Sequence, residues 1–135
     1  MNEYEKMAND FLRKVGAKMT VSFLRNDYYF DKDRERRNVY RVRIERNGKS
    51  MSFTFGDSVY NTQKNIRPSR YSILACMEKF NPWRGMRDFV QEYGYEIEDY
   101  ESYIRAERAY KACVRQVKQV ERVFGDVIDE LAEFC

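Results

Sequence analysis

The chain has 135 residues, 16% of them aromatic and 35% charged, with a net charge of +3 and no histidine. That length and aromatic content predict a single domain, residues 1–135, around a real core rather than a disordered chain. The lack of imidazole excludes Ser-His-Asp and Cys-His catalysis and histidine-based zinc sites, while a charge of +3 is too small to imply nucleic acid by itself.

Residues 3–15 predict an amphipathic helix, because Tyr4, Met7, Ala8, Phe11, Leu12 and Val15 recur at helical spacing and Gly16 is placed to end it. A first strand follows, with Met19, Val21 and Phe23 on one face and Thr20, Ser22 and Leu24 on the other. A polar loop from Asn26 to Arg37 carries the triplet Tyr28-Tyr29-Phe30. Then Tyr40, Val42 and Ile44 alternate with Arg41, Arg43 and Glu45, and beyond Asn47-Gly48 the residues Met51, Phe53 and Phe55 alternate with Ser52 and Thr54. Asn-Gly favours a type I′ turn, so residues 38–46 and 49–56 predict a hairpin with one apolar and one polar face.

Residues 57–68 read as a loop. Ser69 is placed to cap a helix reaching about Lys79, and Asn81-Pro82 punctuates the chain. Trp83, Met86, Phe89, Val90 and Tyr93 predict a short helix closed by Gly94. Tyr103, Ala106, Tyr110, Cys113, Val117, Val120 and Phe124 then form a seam that continues through Val127, Leu131 and Phe134. One unbroken helix over 103–134 would be about 48 Å long at 1.5 Å per residue. A domain of this size is about 30 Å across. A break at Gly125-Asp126, with Asp126 capping a last helix, is favoured over a protruding end that pairs with another chain. The expected fold class is α+β: an N-terminal helix, a three-stranded antiparallel meander, and three to four C-terminal helices packed on one face.

Little here resembles an active site. Cys76, Cys113 and Cys135 are scattered, with no C-x-x-C spacing, and no glycine-rich phosphate loop exists. Asp31, Asp33 and Glu35 begin like a calcium loop but lack its glycine, where Arg36 stands, and its closing glutamate, where Val42 stands. Glu45 is a lone strand carboxylate followed by Arg46, which does not suit a metal-dependent nuclease. Glu96, Glu98, Asp99 and Glu101 precede the long helix, where carboxylates favour the positive helix end. The expectation is a protein that is not an enzyme and needs no cofactor. No apolar run approaches the ~18 residues of a membrane span. The charged start "MNEYEKMANDFL" lacks a signal-peptide core, so a cytoplasmic location is expected.

The sharpest feature is "RERRNVYRVRIER", which holds Arg34, Arg36, Arg37, Arg41, Arg43 and Arg46 within residues 34–46. Residues 21–50 carry nine basic and five acidic side chains, whereas residues 81–110 carry four basic and seven acidic, so the molecule should have a positive and a negative side. The arginines either form the solvated face of a strand, partnered by nearby carboxylates, or grip phosphate. Tyr28 and Tyr29 either stack bases or fill the core at the sheet's edge. Together these eight residues form the candidate surface for a partner or for DNA or RNA.

Two resemblances bear on this. The order helix-strand-strand-strand-helix resembles the double-stranded RNA-binding domain, although the matching second helix, "PSRYSILACMEKF", offers only Arg70 at its start. The pieces "MANDFLRKVGAKMTVSFL", "FTFGDSVYNT", "RPSRYSILACMEKFNP", "DFVQEYGYE" and "AERAYKACVRQVKQVERVFGDVIDELAE" resemble a group of small uncharacterised proteins from phages and mobile elements of gut Firmicutes, over nearly the whole chain. That resemblance carries no assigned site residues. It implies an accessory protein in a host bacterial cell that occupies a host defence complex, such as an RNA-guided nuclease (anti-CRISPR-like). The alternative is a nucleic-acid-binding accessory of phage replication or recombination. A homodimer through the C-terminal helix is a further expectation.

Overall fold

The structure, a computed structural model, describes residues 2–28, 35–57, 68–78 and 85–134. The expectations about Tyr29, Phe30, Asp31, Asp33, Arg34, Asn81-Pro82, Trp83 and Cys135 lie outside these residues, as does most of the loop after Asp57. The chain runs α1 (Glu3–Lys14), β1 (Ala17–Asp27), β2 (Arg37–Arg46), β3 (Lys49–Gly56), α2 (Arg70–Glu78), α3 (Met86–Tyr93), α4 (Tyr100–Phe124) and α5 (Ile128–Ala132). The α+β arrangement of helix, three-stranded meander and following helices is the one its periodicities predict.

Helix α1 starts where the Asn2 side chain accepts the Glu5 N–H at 2.8 Å and ends at Gly16, whose φ of +71° is costly for any residue with a Cβ. The strands are antiparallel in the order β1-β2-β3. Asn47 and Gly48 take φ of +51° and +75°, the left-handed pair that a two-residue turn requires. That turn sets Ile44 opposite Met51 and Val42 opposite Phe53, while β1 sets Met19 opposite Ile44 and Val21 opposite Val42. Because side chains alternate along a strand, one sheet face is apolar from edge to edge.

Helices cover that face. Ala8, Phe11 and Leu12 of α1, Ile73, Leu74 and Met77 of α2, Val120, Val123 and Phe124 of α4, and Leu131 of α5 join the strand residues in one buried cluster. Fully burying each large side chain contributes about 1.5–3 kcal/mol, so this cluster holds the layers together. Helix α2 is tied to α1 by the Glu5 carboxylate, which accepts from the Ser69 hydroxyl at 2.6 Å and the Tyr71 N–H at 3.1 Å. Ser69 Oγ also accepts the Ser72 N–H at 3.4 Å, so Ser69 serves the start of α2 as expected while its hydroxyl fastens the helix to α1.

The first half of α4 leaves the sheet and carries α3, with Phe89 stacked among Tyr93, Tyr95 and Tyr110 at ring separations of 4.9–5.7 Å. Asp99 caps α4 by accepting the Ser102 N–H at 2.8 Å, and Ser102 Oγ accepts the Asp99 N–H at 3.0 Å. These bonds hold the Asp99 carboxyl below its usual range. The acidic segment before α4 therefore includes a true helix cap.

Helix α4 has 25 residues and gives way to a 3-10 turn at Gly125–Val127 before α5. The break falls where Gly125-Asp126 predicts it, for a different reason. Asp126 caps nothing; α5 starts without a side-chain cap, and the Asp126 carboxylate binds an arginine from β2.

Candidate nucleic-acid interface

The opposite face of the sheet carries no helix among the described residues, and its composition follows from strand parity. Register places Lys18, Glu45 and Ser50 in one row, Thr20, Arg43 and Ser52 in the next, and Ser22, Arg41 and Thr54 in a third. Eight of these nine side chains are exposed and Ser50 is half-buried. None is apolar. Two arginines therefore stand in the central strand between short hydroxyl side chains on both neighbours, leaving their guanidinium groups room to reach outward.

Arg43 Nε donates to Glu45 Oε1 at 3.0 Å, an exposed pair that contributes little to stability. Arg41 has no ion-pair partner among the described residues. A β1 bulge at Leu24 sets Arg25 opposite Val39, on the side of Arg41; Val39 is apolar and fully buried, so the open part of the face ends at the Arg41 row, and Arg25 lies 3.8 Å from Asp27. Farther along, the Arg36 guanidinium sits 5.8 Å from the centre of the Tyr28 ring, and that ring is half exposed. Arg37 is half-buried and donates to the Asp57 carbonyl at 3.3 Å. Tyr28 thus stands at the sheet's end as an exposed aromatic beside a cation, and not in the core.

Arg46 belongs elsewhere. Parity places it with Tyr40, Val42 and Ile44, and it is only 7% exposed. Its Nε donates to the Val15 carbonyl at 2.8 Å, Nη1 donates to the Val123 carbonyl at 2.8 Å, and Nη1 and Nη2 engage both Asp126 oxygens at 2.6 and 2.8 Å. One side chain thereby joins the end of α1, the end of β2 and the turn after α4. The guanidinium draws the Asp126 carboxyl down to about 2. Arg46 is removed from the candidate surface because it is buried and four of its five N–H donors are bound inside the fold.

Of the eight expected residues, the structure therefore brings Arg41 and Arg43 together at the centre of an open face. It adds Arg36 and Tyr28 at one end, with Arg37 beneath, and turns Arg46 inward. Arg34 and Tyr29 lie outside the described residues. Lys18, Thr20, Ser22 and Arg25 of β1 share the face and were not among the expected residues. Alternation in β1 was visible in the sequence, but only antiparallel pairing assigns its polar side to the arginine side.

The face can present planar, permanently charged donors and neutral hydroxyls to oxygen-rich anions. Among the described residues, no group of three or more acidic or cysteine side chains converges closely enough to hold a metal ion. No described helix is long and apolar enough to cross a membrane. Comparison with protein families, with curated proteins and with solved structures found no match.

Proposed function

We propose that the protein acts by binding, without catalysis, and that the outer sheet face engages the nucleic acid of a host defence complex, an RNA-guided nuclease, so as to inhibit it. The observation carrying this reading is the open three-by-three polar face centred on Arg41 and Arg43. The rows through Arg41 and Arg43 hold only arginine and hydroxyl groups, and the one carboxylate among the nine positions, Glu45, engages Arg43 and leaves Arg41 without an ion pair among the described residues. The nuclease setting comes from the resemblance to phage and mobile-element proteins. The cytoplasm of the host cell is the location that follows.

A second reading, an accessory of phage replication or recombination, draws on the same face and makes a separate demand. It requires tight binding to free nucleic acid. Fluorescence anisotropy with labelled single-stranded DNA, duplex DNA and duplex RNA, at low and physiological salt, separates the two. Binding that falls steeply with salt favours the accessory, because phosphate contacts release counterions. Weak binding to free strands, together with inhibition of a purified RNA-guided nuclease, favours the inhibitor. No binding and no inhibition would overturn both.

A further inference from the structure

We propose that the cleft between α1 and the start of β1 binds nucleotide phosphate, and that Lys18 joins it to the arginine face as one track for a single nucleic-acid strand. The inference deepens the nucleic-acid reading of the sheet face and rests on it. The cleft has a volume of about 840 Å³, within the range of small-ligand sites. Lys6 and Arg13 from α1, Lys18 from β1 and Arg70 from the start of α2 line it. The opposing charge is Asp10, which already lies 3.7 Å from Arg13. Arg70 is held in place by donating to Asn9 Oδ1 at 2.8 Å. Leu12, Ala17 and Met19 supply an uncharged floor. Four cations from three elements thus line one cleft that holds a single carboxylate.

Lys18 also lines a second depression, of about 430 Å³, together with Arg43, Lys49 and one carboxylate, Glu45, which accepts from Arg43. Among the described residues β1 pairs only with β2, so no strand occupies its other edge, which lies between the two depressions that Lys18 lines. An excess of positive charge therefore runs from Arg70 and Lys6, around the β1 edge at Lys18, to Arg43 and Arg41, with Asp10 and Glu45 the carboxylates along it. A ligand touching both surfaces must turn around that edge. A single strand bends there readily, whereas duplex DNA is stiff over about 150 base pairs.

The test uses labelled oligothymidylates of about 4 and about 12 nucleotides and a duplex of about 12 base pairs, spanning the usual range of strand-binding site sizes. The full-length protein is compared with Lys6→Glu/Arg13→Glu and with Arg41→Glu/Arg43→Glu. All four residues are exposed. The longer strand should bind more tightly than the shorter strand or the duplex. Each double variant should weaken it at least about tenfold, with the salt slope of log K reduced by about 1.4, or about 0.7 for each phosphate contact. Lys6→Gln/Arg13→Gln should show the same slope change without added repulsion, and serves if the glutamate variant fails to fold. If only the Arg41/Arg43 variant weakens binding, the cleft proposal is overturned and the sheet reading stands. If only the cleft variants weaken it, the single track is overturned. Equal affinity for the duplex overturns the single-strand assignment, and no binding by the unaltered protein overturns cleft and sheet together.

Discussion

Arg43 and Arg46 are three residues apart on one strand and have opposite fates. Arg43 stands on an open polar face with its side chain about half exposed, while Arg46 is sealed against α1 and α4 with four of its five N–H donors bound. Residue type does not separate them. Strand parity does: odd positions from 41 to 45 face solvent and even positions from 40 to 46 face the helices. A run of arginines is therefore not one feature. Here it is an open polar face, the surface proposed to bind, interleaved with a core strap.

That contrast is open to attack, first at the strap. Arg46→Ala should lower unfolding stability by about 3 kcal/mol, because it removes charged hydrogen bonds and leaves two carbonyls unpaired. Urea denaturation measures it. An unchanged midpoint with lost nucleic-acid binding would return Arg46 to the surface. Asp126→Asn should cost less than Arg46→Ala, since the Asp126 side chain is largely solvated. Its pH signature is distinctive. The folded carboxyl titrates near about 2 against an ordinary 3.8, so its stabilisation is complete above about pH 4 and disappears as pH falls toward 2. Urea midpoints between pH 2 and pH 7 should show part of that acid loss in the native protein and not in the Asn variant.

The turn that fixes parity is the next target. Gly48→Ala should destabilise by about 1 kcal/mol, through backbone strain at φ +75° and not through collision, since nothing lies within 4 Å of the added Cβ. Thermal unfolding checks this, and a neutral result would mean that the turn does not hold the register. The smallest stability effect belongs to the open face. Arg41→Glu/Arg43→Glu should change unfolding stability by less than about 0.5 kcal/mol, as surface substitutions do.

Local chemistry made much of the fold legible. Asn47-Gly48 announced the hairpin, Gly16 and Gly94 the helix ends, and the seam from Val117 to Phe124 the core side of α4. Parity also marked Arg46 as inward-facing, because it continues the series Tyr40, Val42, Ile44; clustering by composition hid that signal. Its partner was not legible. Asp126 lies 80 residues away, and its position beside Gly125 suggested a helix cap. The β1 side of the candidate interface was hidden for a related reason. Thr20 and Ser22 show alternation, but only pairing with β2 reveals that they flank Arg43 and Arg41.

The most direct test compares the nucleic-acid isotherm of Arg41→Glu/Arg43→Glu with that of the unaltered protein at low salt, alongside both thermal unfolding curves. Matching unfolding curves with at least about tenfold weaker binding would establish the outer sheet face as the functional surface. That size is expected for two lost phosphate contacts. Matching curves with unchanged binding would contradict the account and leave Arg41 and Arg43 as solvated strand residues.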